Sequence, residues 1–348
     1  MTAPKLSVRR VDPDVERAAI QRLLTEHLPD GAADSRFEAM YLANPRGKAL
    51  VWLAETPEGK AVGTSAAFPR LFHVSGRELV GLVLSDFAID SAFRTLGPAI
   101  SLLKATLGPV ENDEYAFALD FPSESMLAVY KRLKWTELDR VSRFVRPLRL
   151  SPAIGRRYGS IAATVVGRPL DGLLAVRDAA EARSAGYSAS ARSMDSVGAA
   201  DVADTIRKGS AVFGDRGHQY LAWRYQDGLR FSYTLLVLES DDEQLGYAVL
   251  QHGGAGPVTI VEFESPDEVA VRSALMAAVA RWSRRRGADG VQASALPGTA
   301  WHSMLAAAGF KAREESTGPV VYSKKDAPWC DLITDSGSWW MTDGDRDG

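Results

Sequence analysis

At 348 residues the chain exceeds one usual core, and its length suggests two domains of roughly 150 residues each. Apolar residues at 46% and charged residues at 24% are the proportions of a soluble globular protein, and a net charge of −3 offers no long-range pull toward nucleic acid or an anionic membrane. The single cysteine, Cys330, excludes an intramolecular disulfide and a cysteine-based zinc site, and fits a reducing compartment or indifference to redox. The first ten residues lack the apolar core of a signal peptide, and no apolar run reaches the roughly 18 residues of a membrane span. A cytoplasmic protein without membrane insertion is expected.

Residues 6–11 alternate like a short strand that Asp12-Pro13 ends. Residues 14–28 then place Val15, Ala18, Ala19, Leu23, Leu24 and Leu28 on one helical face, with Pro29-Asp30-Gly31 as the stop. A short helix is expected over 35–42, followed by strands at 49–55, 62–72 and 79–89, whose turn-rich separators predict an antiparallel meander. A helix over 99–107, a strand over 115–119, a helix over 123–133 and a strand over 138–145 complete the first half.

Residues 150–193 are rich in Ala, Gly and Arg and read as a helical connector. The polar stretch 195–228 ends in Tyr220-Leu-Ala-Trp-Arg-Tyr225, where packing is a better reading than a site lined by aromatics. From Phe231 the first pattern returns: strands at 231–238, 245–251 and 258–263, a helix from a Ser265-Pro-Asp-Glu268 capping box to Arg286, a strand at 291–296, a helix at 299–308 and a strand at 320–323. The chain therefore holds an internal repeat. The expected division is 1–149 for the first domain, 150–228 for the connector and start of the second, and 229–348 for the second domain.

The two copies differ where chemistry belongs. In the first, the apolar strand ending at Ile89 breaks into Arg94-x-x-Gly97-x-Ala99 and opens a helix, with Pro98 suited to the first turn. Freed backbone N–H groups there can converge on an anion, and Arg94 and Lys104 are the charges between Asp90 and Glu111. In the second copy Asp267 and Glu268 occupy the corresponding helix start and would repel a pyrophosphate. Downstream, Tyr130 of the first copy aligns with Leu305 of the second, so a phenol capable of proton transfer is present once.

These residues carry a family resemblance. The chain resembles the GNAT superfamily of acyl-CoA N-acyltransferases, whose signature is an apolar strand, then Arg/Gln-x-x-Gly-x-Gly/Ala at a helix start, then an Asn-x-x-Ala-x-x-x-Tyr-x-x-x-Gly-Phe helix. Ile89, Phe93, Arg94, Gly97, Ala99, Tyr130 and Trp135 match family positions, whereas Ser91, Ser123 and Lys134 stand where the family has proline, asparagine and glycine. Residues 6–147 match well and 231–323 more loosely, as in a tandem GNAT protein with a degenerate second domain. The implied fold is α/β (α+β), two GNAT-like domains, each a mixed, mostly antiparallel sheet flanked by helices.

The resemblance further implies that acetyl-CoA is a co-substrate, with backbone groups of Phe87, Ala88 and Ile89 along its pantetheine and those of Arg94, Thr95, Leu96, Gly97, Pro98 and Ala99 around its pyrophosphate. Tyr130 is the candidate acid for the departing sulfur, or else packs against the coenzyme. Asp86 is a candidate base, directly or through water, or else a turn or salt-bridge residue. The expected acceptor is a small-molecule amine, such as an amino sugar or glycan precursor or an amino-acid-like amine, with neither nucleic acid nor metal involved. The alternatives are an acyl-CoA sensor or assembly protein without catalysis, and an aminoacyl or long-chain acyl transferase on the same fold. His73, His218, His252 and His302 show no metal-ligand spacing and read as structural or surface residues. The tail Asp343-Gly-Asp-Arg-Asp347 lacks the glutamate of a calcium loop and reads as a solvated C-terminus, while Trp329, Trp339 and Trp340 are expected to pack back over an inter-domain groove.

Overall fold

The computed structural model describes residues 6–28, 33–183, 187–194, 209–226, 231–241, 243–253 and 256–346. The helix stop at 29–31 and residues 195–208 lie outside the described residues. The first half runs β1 (Ser7–Val11), α1 (Arg17–His27), α2 (Asp34–Phe37) with a π-helical turn Glu38–Leu42, β2 (Leu50–Glu55), β3 (Ala61–Val74), β4 (Arg77–Ile89), α3 (Leu96–Glu111), β5 (Phe117–Asp120), α4 (Glu124–Arg132), β6 (Thr136–Glu137) and β7 (Val141–Pro147). The middle holds α5 (Ser151–Tyr158), α6 (Ser160–Ala162) with a π-helical turn Ala163–Gly167, α7 (Arg168–Arg183), β8 (Ser188–Arg192), β9 (Val212–Gly214) and α8 (His218–Arg224). The second half runs β10 (Ser232–Ser240), β11 (Glu243–His252), β12 (Val258–Glu264), α9 (Val269–Arg285), β13 (Gly290–Ala295), α10 (Ala300–Ala307), β14 (Lys311–Ser316), β15 (Val320–Ser323), α11 (Cys330–Thr334) and β16 (Trp339–Trp340).

The repeat expected from sequence is real, and each copy builds most of one sheet. One sheet orders its strands β1-β2-β3-β4-β5-β15-β6, with β9 beside β3 and β16 beside β9; the other is β14-β7-β13-β12-β11-β10-β8. The meander β2-β3-β4 is antiparallel, as is β10-β11-β12, while β4 and β5 run parallel, as do β12 and β13. The halves exchange strands. β7 of the first half lies between β13 and β14, and β15 of the second half lies between β5 and β6. Neither sheet is therefore one continuous stretch of chain, and the backbone ladders themselves tie the halves together.

Apolar alternation explains the cores. Leu102, Leu103, Leu107 and Val110 of α3 bury one helical face against Leu82 and Leu84 of β4, and α1 covers the opposite face of the sheet with Ile20, Leu23 and Leu24. Two local expectations are corrected. The Ser265–Glu268 capping box does not form: β12 stays paired through Glu264, Ser265 is fully buried with its hydroxyl donating to the Pro266 carbonyl, and α9 starts only at Val269. Nor are Asp343 to Asp345 of the tail solvated. The Asp345 carboxylate accepts from Arg216 at 2.6 Å and pairs with Arg70 at 2.8 Å, and Asp343 accepts the Ser294 N–H at 2.6 Å. Arg70 takes its carboxylate partner from the tail, and Arg216, already paired with Glu262 at 2.9 Å, gains a second one there, so the tail is drawn in by charge. Burial opposes ionisation of Asp345, but Arg216 and Arg70 outweigh it and hold the carboxyl below the usual range. Trp339 and Trp340 are 1% exposed and pack as expected, as do Tyr220, Leu221 and Tyr225.

Candidate functional site

The parallel pair β4 and β5 is hydrogen-bonded at Leu82/Ala118 and Val83/Leu119 and then separates. A cavity of about 270 Å³ opens in the gap, lined by Ser65, Ser85, Asp86 and Phe87 on one side and by Asp120, Phe121, Ser123, Met126 and Tyr130 on the other. A bulge shapes its β4 wall: Thr64 faces Ala88 and Ala66 faces Ser85, leaving both Asp86 and Phe87 opposite Ser65. Asp86 takes a positive φ of 53° there, a strained conformation for a residue with a side chain.

The Asp86 carboxylate is fully engaged. Arg36 donates to it at 2.7 and 3.1 Å, the Tyr41 phenol at 2.6 Å and the Ser85 hydroxyl at 3.2 Å. The Arg36 and Asp86 side chains are 6% and 7% exposed, so this is a buried pair. α2 and the π-helical turn after it supply both partners, and Phe37 stacked on Tyr41 with Phe68 at its edge fixes the phenol. Burial, reinforced by the Asp86 charge, pushes the Tyr41 phenol well above its ordinary value, so it stays a donor. A carboxylate accepts about four hydrogen bonds, and Asp86 already has that many, so direct proton abstraction requires one donor to leave. The geometry favours the salt-bridge alternative for this residue.

Tyr130 sits on α4 with its ring edge-on to Trp135 at 4.7 Å and is 1% exposed, yet it reaches the cavity wall. Beyond β4, Asp90 caps a 3-10 turn over Ser91–Phe93, and Arg94 folds back to donate to the Ile89 carbonyl at 3.3 and 3.4 Å. α3 then begins at Leu96, three residues earlier than expected, so Gly97, Pro98 and Ala99 form its first turn. Thr95 precedes it in extended conformation without capping it through its side chain, and no acid occupies the first turn. The backbone donors at this helix start face no carboxylate of their own turn. A Cβ on Gly97 would meet nothing within 4 Å.

Of the residues singled out from sequence, Asp86, Phe87 and Tyr130 line one cavity. Ala88 and Ile89 continue β4 away from it, and Arg94 to Ala99 form the separate turn and helix start beyond. Sequence reasoning missed Arg36, Tyr41 and Asp120. Nothing local marks Arg36 and Tyr41, whereas Asp120 ends an apolar strand, where a polar residue reaches the strand's C-terminal edge. Among the described residues no group of three or more side chains is arranged to hold a metal ion.

The second half has the same opening without this equipment. β12 and β13 pair at Val258/Val291 and Thr259/Gln292 before parting. A groove of about 540 Å³ lies between α9 and α10 rather than between the strands, walled by Asp267, Arg272, Ser273, Met276, Ser303 and Met304 among others. Glu268 stands at the start of α9, Asp267 is ion-paired with Arg272, and Leu305, the counterpart of Tyr130, is fully buried.

No protein-family model matches the sequence, and no curated protein matches it either. Solved structures do match. A probable N-acyltransferase of unknown function from Enterococcus faecalis superposes with a TM-score of 0.67 over 92% of this chain and 72% of its own, at 11% identity. A GCN5-related N-acetyltransferase from Anabaena variabilis gives 0.62 over 90% and 72%, also at 11% identity. The fold is that of the GCN5-related N-acetyltransferases. Saccharomyces cerevisiae N-myristoyltransferase, solved with bound myristoyl-CoA, gives 0.57 over 94% of this chain and 81% of its own at 12% identity. These matches span both halves, so the GNAT likeness extends to the tandem arrangement.

Proposed function

We propose that the protein is an N-acyltransferase that moves an acetyl group from acetyl-CoA to the amine of a small molecule, with the chemistry in the first half. The observation that carries this reading is a phenol in a cavity beside a bulged β4, with an acid-free helix start following that same strand. The pyrophosphate is assigned to the backbone of Arg94 to Ala99, and the pantetheine lies along Phe87, Ala88 and Ile89 as an added strand. The cavity, about 270 Å³, is near the lower end for small-molecule pockets, which favours an acetyl over a long acyl chain.

The amine nitrogen attacks the thioester carbonyl, the tetrahedral intermediate collapses with cleavage of the C–S bond, and Tyr130 protonates the departing thiolate. Asp86, held by Arg36 and Tyr41, fixes the bulge and its local charge, and the amine proton leaves through water. Asp120 on the opposite lip attracts the protonated amine, since no lysine or arginine lines the cavity among the described residues. An amino sugar or glycan precursor is one acceptor that such a polar cavity suits.

Titration calorimetry with acetyl-CoA, followed by thiol release across an amine panel, tests the proposal. One acetyl-CoA per chain and amine-dependent thiol release are expected. Absence of binding removes the reading, and binding without turnover leaves a sensor.

A further inference from the structure

The helical segment between the halves presents an apolar surface that the fold does not use. Tyr158, Ile161, Val165, Val166, Leu173 and Val176 are each between 50% and 80% exposed. From Ile161 to Val176 they recur at helical spacing along α6, the π-helical turn and α7, forming one stripe, while α7 packs on α9 with another face. Scattered exposed apolar residues are ordinary, but a contiguous stripe marks an interaction surface.

The stripe is held rigidly outward. Asp171 accepts from the Leu150 N–H at 2.5 Å, the Ser151 N–H at 3.2 Å and the Ser151 hydroxyl at 2.6 Å, clamping α7 to the start of α5. Gly167 lets the two helices touch: a Cβ there would lie 2.6 Å from the Ser151 Cα. Asp171 is thus spent on capping, while Arg157 and Arg168 are exposed beside the apolar stripe and Arg156, also exposed, lies 3.9 Å from the Asp289 carboxylate. Residues 148–183 carry six arginines against Asp171, Asp178 and Glu181, so the segment bearing the stripe is net positive in a chain of net charge −3.

We propose that this surface docks peripherally on an anionic lipid bilayer, the apolar stripe entering the headgroup boundary and the arginines contacting phosphate groups. Self-association is less favoured, because a two-fold interface would bring two copies of the same net-positive segment together. Crossing the bilayer is not involved: among the described residues no helix is long and apolar enough to span it. The proposal is independent of the acyl-transfer reading.

Co-sedimentation of the full chain with phosphatidylcholine vesicles, and with vesicles containing about 30% phosphatidylglycerol, is the test, with light scattering of the protein alone alongside. Binding to the anionic vesicles is expected, at least about tenfold above the neutral ones and weakening as salt rises. Ile161→Asp with Leu173→Asp should abolish it, and Arg157→Glu with Arg168→Glu should remove the preference for anionic lipid, all at exposed sites with an unchanged circular dichroism melt. No partition to either vesicle, or equal partition to both, overturns the proposal. A dimer in light scattering that Ile161→Asp dissociates also overturns it, in favour of a second copy.

Discussion

The clefts of the two halves are a paired experiment within one chain. Each sheet parts its parallel strand pair after two paired positions, Val83/Leu119 in the first and Thr259/Gln292 in the second. The first opening is met by Asp86, Asp120 and Tyr130, with an acid-free helix start beyond it; in the second half Leu305 stands in place of Tyr130 and Glu268 precedes the helix. A buried polar cluster of the second half forms where Glu262 of β12 accepts Arg216 at 2.9 Å and Tyr225 at 2.7 Å. The gap thus belongs to the fold, whereas the chemistry belongs to the side chains around it.

The comparison breaks most decisively at Tyr130. Tyr130→Phe should lower kcat by about 100-fold or more while acetyl-CoA affinity stays within about twofold, and Leu305→Met should change neither. Steady-state kinetics with calorimetry separates the two effects, and undiminished turnover would remove Tyr130 as the acid. In the second half the large effect should instead be on stability. Arg216→Met takes from the buried Glu262 carboxylate its ion-pair partner and leaves Asp345 with Arg70 alone, and a loss of about 3–5 kcal/mol in urea unfolding is expected.

Asp345 gives the pH dependence of that stability. Its carboxyl titrates lower in the folded chain than in the unfolded one, so the unfolded state takes up the proton first as pH falls. Its contribution is complete at neutral pH and is lost on acidification below about pH 4, passing through the lowered folded value. Urea midpoints measured at a series of acidic pH values should decline less steeply for Asp345→Asn than for the parent.

The smallest expected effect is the sharpest probe of the helix starts. Gly97→Glu fits sterically and gives the first half the acid of the second, so acetyl-CoA should bind about tenfold more weakly. Glu268→Gln should leave affinity within about twofold, because the second cleft takes no part. Restored binding at a second site in the Glu268→Gln protein would show that one acid, rather than the whole groove, silenced that half.

Much of this was legible residue by residue. Turn residues at Pro57-Glu-Gly59 and Ser75-Gly76 between apolar runs marked a meander, and the Gly97-Pro98 pair marked a turn into a helix. The cavity's far wall was not legible. Arg36 reaches Asp86 across 50 residues of sequence, and its position depends on how α2 packs over the sheet. The Ser265–Glu268 pattern misled because local capping chemistry lost to continued strand pairing at Glu264.

By itself the sequence determined the repeat, the element types, the acid-free helix start after β4 and the contrast of Tyr130 with Leu305, because hydrophobic period and turn chemistry act over a few residues. Tertiary structure alone decided the exchange of β7 and β15 between sheets, the burial of Asp345 between Arg70 and Arg216, and the commitment of Asp86 to Arg36 and Tyr41. These are long-range pairings, and a strand edge or a buried charge takes whichever partner the packed chain brings to it.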